Sequence, residues 1–276
     1  MYIWRKRAGA RWLRENIATL SDHAGFSLAI TERPGSTRAL LTICCRTAGL
    51  AKKLVTEFGG TAERLRPDWL RRFAEQNKAA PLRIGSRLVV ISAPTREKLS
   101  APGIIIPAEA AFGTGSHATT AMCLRLLERV TRRWPDGWRM LDCGMGSGIL
   151  AIAAAYFGAN RLVAIDNDPV ASVTAMRNAR ANGVGDLSVL TGDVLQQKLS
   201  GKFHIIAANL FSELLIKALP RWRPYLASES HLILSGILRM QEPEVVRALR
   251  RNHFIVAETR RRGKWIALLA HPQKGS

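Results

Sequence analysis

Met140-Leu-Asp-Cys-Gly-Met-Gly-Ser-Gly-Ile-Leu150 is the stretch that decides the fold. It reads as an apolar strand, then a tight turn at Gly144, Gly146 and Gly148, then an apolar helix from Ile149 to Phe157. A second strand, Arg161–Ile165, follows and ends on Asp166. Glycines let a backbone approach a ligand closely, and the amino end of a helix presents N–H groups with no intrahelical partner. An acid about twenty residues beyond such a turn sits where it can accept both ribose hydroxyls. The segment reads as one half of a nucleotide-binding α/β fold.

The glycine spacing narrows the ligand. Dinucleotide sites usually read G-x-G-x-x-G, whereas this loop reads G-x-G-x-G. The shorter form suits S-adenosylmethionine (SAM), which has no pyrophosphate to cradle. No Lys-Ser or Lys-Thr follows the glycines, so a P-loop is excluded. A turn that merely packs a helix on a strand is the competing reading of the loop; the placement of Asp166 weighs against it.

The 276 residues, 47% hydrophobic, suffice for one large domain and a smaller one. Four cysteines, two of them adjacent (Cys44 and Cys45), form neither a disulfide framework nor a metal-binding pattern. Reduced thiols in a cytosol are the simple reading, and the cytoplasm is the expected location. The basic amino terminus has no long apolar run behind it, and no run approaches membrane-spanning length, so neither a signal peptide nor membrane association is expected. The formal net charge is +20. Residues 1–100 hold 19 basic and 8 acidic residues, and the rest 22 and 13, so the excess is spread over the chain. Such a charge favours RNA, ribosomal particles or acidic proteins, and a solvated basic surface is the plain alternative. No base-specific RNA-binding signature is present.

Residues 1–65 read as a small α/β unit with strands at Ser27–Ile30 and Ala39–Cys45 and a helix at Gly49–Phe58 closed by Gly59-Gly60. Pro67–Gln76 reads as a connecting helix and Leu82–Ile91 as a strand or hairpin arm. Pro94, Pro102 and Pro107 mark a stretch without regular pattern. From Thr119 helices and strands alternate, with strands expected at Arg139–Asp142, Leu162–Ile165, Leu187–Leu190, His204–Ala208 and His231–Ser235. Strands at His253–Thr259 and Trp265–Ala270, joined through Arg260-Arg-Arg-Gly263, should form a hairpin and end the sheet with an antiparallel strand. The expected class is α/β. A seven-stranded, doubly wound, Rossmann-like domain is expected over 101–276. A small amino-terminal α/β domain spans 1–65, and a connecting helix and strand span 66–100.

Further segments carry a family resemblance. Ala111-Phe-Gly-Thr-Gly-Ser-His-Ala-Thr-Thr120 resembles the A-F-G-T-G-T-H-P-T-T block of the PrmA family, the methyltransferases of large-subunit ribosomal protein L11. Asp142–Ala153 resembles its D-x-G-C-G-S-G-I-L-A-I-A segment, Ile205–Leu210 its V-V-A-N-I-L and Leu234–Leu238 its L-S-G-I-L. Pro81–Gly85 and Trp265 are weaker matches in the same order. The resemblance covers about residues 80–270. It implies a seven-stranded SAM fold, a separate recognition domain, and cofactor contacts at Thr120, Gly144, Asp166 and Asn209, with Gly146 added by the loop itself. It departs from the family at Met145 for cysteine, Ala118 for proline and Phe211–Leu214 after the asparagine, and residues 1–80 match little.

The chemistry implied is methyl transfer from SAM to an amine of a protein, a lysine or the amino terminus, most simply of a ribosomal protein and L11 in particular. Transient contact with ribosomal RNA accompanies that reading, and no metal is required. Asn209 is the residue assigned to catalysis, because its amide has both a donor and an acceptor at the carboxyl edge of the sheet, where ligands bind. Capping the following helix is the plainer role for Asn209, as for Thr119 and Thr120 at theirs. His117 reads as structural or as a base. A lysine methyltransferase for another protein and a small-molecule methyltransferase are the alternatives within enzymes. An inactive basic module that binds RNA or ribosomes is the alternative outside them.

Overall fold

The computed structural model describes residues 2–9, 11–13, 15–16, 19–20, 28–31, 37–45, 47–65, 80–95, 98–107 and 117–273. Ser27, the expected connecting helix Pro67–Gln76 and the motif residues Ala111–Ser116 lie outside them. The chain divides into two compact units, Met1–Arg72 and Phe73–Ser276.

The first unit is built on an antiparallel sheet of β1 (Tyr2–Gly9), β2 (Leu28–Thr31), β3 (Arg38–Cys45) and β4 (Thr61–Arg64), in the order β2-β3-β1-β4. Helix α1 (Ala48–Phe58) covers it, capped by Thr47, whose side chain accepts from the Leu50 N–H. Trp4, Leu41, Ile43, Leu54 and Phe58 form its core, and the Trp4 indole N–H donates to the Gly59 carbonyl at 2.8 Å. The sequence reading missed β1 and β4. β1 carries three consecutive basic residues, Arg5, Lys6 and Arg7, between the buried Ile3 and Trp4 and the buried Ala8, and this run of charge masks the strand.

The second unit opens with a three-stranded sheet of β5 (Leu82–Ile84), β6 (Leu88–Ile91) and β7 (Gly103–Ile105). The first two pair as a hairpin within Leu82–Ile91, the segment expected as a single strand or hairpin arm. β7 corrects the reading of an irregular stretch: Gly103-Ile-Ile between prolines pairs in parallel with Val89–Ile91.

The main sheet follows: β8 (Trp138–Cys143), β9 (Ala159–Asp166), β10 (Leu187–Thr191), β11 (Phe203–Asn209), β12 (Leu226–Leu238), β13 (Phe254–Arg262) and β14 (Trp265–Pro272). Their order is β10-β9-β8-β11-β12-β14-β13, and the first five run parallel. The central strands β8, β11 and β12 and the buried end of β9 are apolar on both sides because both sides are covered. Met140, Leu162, Ile205 and Ile233 enter one core with α2 (Ala118–Thr131) and α3 (Ile149–Tyr156). Their neighbours Leu141, Val163, Ile206 and Leu234 enter the other, with α5 (Ser212–Trp222) and α6 (Glu242–Arg251). Helix α4 (Pro169–Ala181) lies against α3 and β9, and it packs small alanines inward at 171, 175 and 179. This is the expected doubly wound class.

The end of the sheet differs in two ways from the expectation. The turn is Gly263-Lys264, so Arg260–Arg262 belong to a strand rather than to the connection. The antiparallel strand β14 is inserted between β12 and β13, which leaves β13, parallel to the others in direction, on the edge. A hairpin whose second arm pairs with β12 buries its apolar arm, Ile266–Ala270, and leaves the charged arm outside.

Candidate active site

The Gly144–Gly148 loop leaves β8 and enters α3 at the carboxyl edge of the sheet. The N–H groups of Gly144 and Met145 donate to the Ile165 carbonyl at 2.8 and 3.1 Å, which ties the loop to the end of β9. Asp166, the last residue of β9, accepts from the Gly146 N–H through Oδ2 at 2.9 Å and from the Asp168 N–H through Oδ1 at 3.0 Å. Loop and acid therefore form one construction. Burial raises the Asp166 carboxyl above the usual carboxylate range, and these backbone donors oppose the rise. The loop is braced from α4: Asn178 donates to the Ser147 carbonyl at 2.9 Å, and a Cβ at Gly148 would approach that of Ala175 to 2.9 Å.

Two of the family-like segments interlock with this loop. Leu210 donates its N–H to the Ser235 carbonyl at 3.0 Å. Gly236, at φ +84°, forms the bulge in β12, and a Cβ there would overlap the Leu210 carbonyl. Leu210 in turn lays its side chain over Gly144 (φ +72°), where a Cβ would overlap Leu210 Cδ2. The glycine of the loop, the leucine after β11 and the glycine of β12 thus set one another's positions.

Asn209 ends β11 beside Ser235, and its Nδ2 lies 3.5 Å from Thr120 Oγ1. Thr119 and Thr120 are buried inside α2. The cap of α2 is His117, whose Nδ1 accepts from the Thr119 N–H at 3.4 Å, and the cap of α5 is Phe211. The capping roles considered for Thr119, Thr120 and Asn209 are therefore corrected. His117 also meets Trp265 edge-on at 5.3 Å. Burial, and then Lys264, lowers its pKa, so the ring is neutral at neutral pH. Phe211 is 64% exposed beside Asn209.

The sequence reading gave no role to Asp142, the acid that precedes the glycines. It is fully buried, with Oδ2 accepting from the Ala151 N–H at 3.2 Å and Oδ1 without a partner. Burial pushes its pKa up to about 7, opposed by the Ala151 N–H and assisted by Asp166. An apolar strand ending in an acid immediately before a glycine turn was the available signal. Met140–Leu150 contains one acid, Asp142, and no cation, and Asp166 at the end of β9 adds a second acid beside the loop. That sign repels pyrophosphate and suits a cationic sulfonium and ammonium ligand, and the close-packed glycines leave the backbone open to it. Among the described residues no group of His, Cys, Asp and Glu could hold a metal.

Known proteins carry the same pattern. The family model of the ribosomal protein L11 methyltransferases (PrmA) matches residues 44–273, further toward the amino terminus than the motifs alone reach. The ribosomal protein L11 methyltransferase of Pelotomaculum thermopropionicum is 38% identical over 206 residues, 74% of this chain and 65% of that protein. That of Heliobacterium modesticaldum is 37% identical over 194 residues, 69% of this chain and 60% of that protein. The chain thus spans a little under two thirds of the length of these relatives. The crystal structure of a ribosomal protein L11 methylase from Lactobacillus delbrueckii subsp. bulgaricus superimposes with a TM-score of 0.64 at 28% identity, covering 71% of this chain and all of that one. An S-adenosylmethionine-dependent methyltransferase from Clostridium acetobutylicum, 11% identical with a TM-score of 0.50, shares the fold.

Proposed function

The chain belongs to the ribosomal protein L11 methyltransferase (PrmA) family, and from that premise we propose that it transfers the methyl group of SAM to amine nitrogens of ribosomal protein L11. The observation that supports it most is the pairing of two sites at one sheet edge. One is a glycine loop with two acids and no cation; the other is an amide, Asn209, beside Thr120.

SAM supplies an electrophilic methyl on a leaving group that needs no further activation. The chain's own residues hold and align. Asp166 would accept the ribose hydroxyls, the Gly144–Gly148 backbone would let the cofactor pass closely, and Asp142, buried and titrating at about 7, would favour a cationic ligand once ionised. The Asn209 carbonyl oxygen accepts from the incoming neutral amine, and Thr120 orients that amide. The acceptor amine loses its proton on leaving water, since desolvation lowers its pKa. The neutral amine so held would be the nucleophile for the methyl that SAM supplies, with the thioether as leaving group and the amine's remaining surplus proton passing to solvent. The amino-terminal unit, Met1–Arg72, is assigned to recognition of the protein substrate.

The test is transfer of labelled methyl from SAM into fractionated extract of the source organism lacking this gene. Label in one small ribosomal protein is the expected result. Label in a soluble protein or metabolite would keep the chemistry and replace the substrate. No label, together with no SAM binding, would overturn the reading in favour of an inactive binding module.

A further inference from the structure

Where α2 lies against the closing hairpin, arginines gather on one side of the molecule's second unit. Arg129 and Arg260 both donate to Glu258, at 2.6 and 2.8 Å. Arg125, on the same helix face one turn earlier than Arg129, lies within electrostatic reach of Arg262 and Arg260; burial and these two neighbours hold it below the usual arginine range. Residues 258, 260 and 262 share one side of β13 by strand alternation, while Arg261 on the other side pairs with Glu242. Neither Arg125 nor Arg262 has a carboxylate partner among the described residues. Four guanidiniums thus gather where a single carboxylate, Glu258, pairs with two of them, and Lys264 follows in the turn.

Like charges collected this way repel one another until an anion joins them. The cluster starts at the catalytic edge, since Arg262 pairs with Trp265 and Trp265 with Leu238, just beyond Ser235. Asn209 lies three strands away, roughly 14 Å across the sheet. We propose that Arg125, Arg129, Arg260 and Arg262 form a phosphodiester-binding surface that seats an RNA backbone beside the methyl-transfer site.

RNA suits the surface better than an acidic protein. Guanidinium forks take phosphate oxygens in pairs, and a phosphodiester chain offers one charge per residue to arginines spaced along a strand. The chain as a whole, at +20, draws polyanions of either kind, so the assignment rests on the cluster. RNA affinity does not depend on methyl transfer; only the identity of the cargo, a protein acceptor carried on RNA, rests on the function proposed above.

The experiment is fluorescence anisotropy of a labelled mixed-sequence RNA hairpin with the full chain, as a function of salt. Arg125→Gln with Arg262→Gln should weaken binding about tenfold or more near 0.1 M salt and reduce the log–log salt slope by roughly 1.5. Lys217→Gln with Arg247→Gln, an equal charge change on the helices of the opposite layer, should leave binding within about twofold. Thermal melts of both doubles, and Arg262→Gln alone with about half the slope change, guard against a folding defect. Equal losses in both doubles, no loss in the first, or no RNA binding would overturn the proposal. So would competition by polyglutamate as strong as by RNA at equal charge, which would assign the surface to an acidic protein. RNA binding through the cluster by a chain that does not bind SAM would leave the proposal standing and sink the methyltransferase reading alone.

Discussion

On the proposed mechanism three acidic and amide side chains carry the chemistry, and each yields a separate expectation. Asp166→Ala removes two acceptors at the end of β9 and should lower SAM affinity tenfold or more by calorimetry, since bonds of this charged kind contribute roughly 1.5–3 kcal/mol each; unchanged affinity would remove Asp166 from the cofactor site. Asn209→Ala should lower kcat far more than it weakens SAM binding, because the amide faces the incoming amine. Asp142 governs a pH effect. Its folded pKa, about 7, is raised above its ordinary 3.8 by burial, so its contribution to stability is complete below 3.8 and is lost as pH rises toward 7. Asp142→Asn keeps the shape without the charge. The difference in unfolding free energy between variant and wild type should therefore grow in the variant's favour from pH 5 to 7, by up to about 1.4 kcal/mol per pH unit, and level off above. A constant difference in urea titrations would contradict that assignment. Gly144, Gly146 and Asp166 were readable from spacing alone. Asp142 was not, because one acid in a motif looks the same whether its carboxylate meets solvent or lies buried with an orphaned oxygen.

At the scale of elements, the site depends on an interlock among β8, β11 and β12 that no single segment reveals. Gly236→Ala places a Cβ against the Leu210 carbonyl at a positive φ, whereas Gly263→Ala, at φ +58° with nothing near its Cβ, adds only the backbone strain. The first should destabilise by about 2 kcal/mol or more beyond the second, and it should also weaken SAM binding through Leu210 and Gly144. Equal effects of the two on thermal melting would dissolve the interlock. The parallel strands were legible because runs such as Ile205–Ala208, buried on both sides, have no other home. β1, β4 and β7 were hidden for different reasons: the run of charge in β1, four exposed residues in β4, and flanking prolines around β7. The strand order at the hairpin was hidden because pairing with β12 or with the free edge is decided by which arm is apolar along its whole length.

For the whole molecule, the proposed function divides between a transfer site marked by motifs and a recognition surface that the motifs do not describe. The fold class was readable in residues 140–238, and so were the places of the glycine loop and of Asn209 at the carboxyl edge of the sheet, because backbone geometry there dictates residue type. Substrate recognition leaves a fainter mark, since exposed contacts are set by a partner and not by the chain's own packing. Among the described residues no helix is long and apolar enough to cross a membrane, and the cysteines are free thiols. On the proposed function the charge of +20 should make association with ribosomal material depend on salt, so turnover on an RNA-bound acceptor should fall more steeply with salt than turnover on the free protein. The most direct measurement is intact-mass analysis of purified ribosomal protein L11 from the source organism after incubation with this chain and SAM. The expected result is a series of whole-methyl mass increments on lysine or amino-terminal nitrogens, absent with Asn209→Ala. An unmodified mass, from a chain that binds SAM, would contradict the assigned substrate.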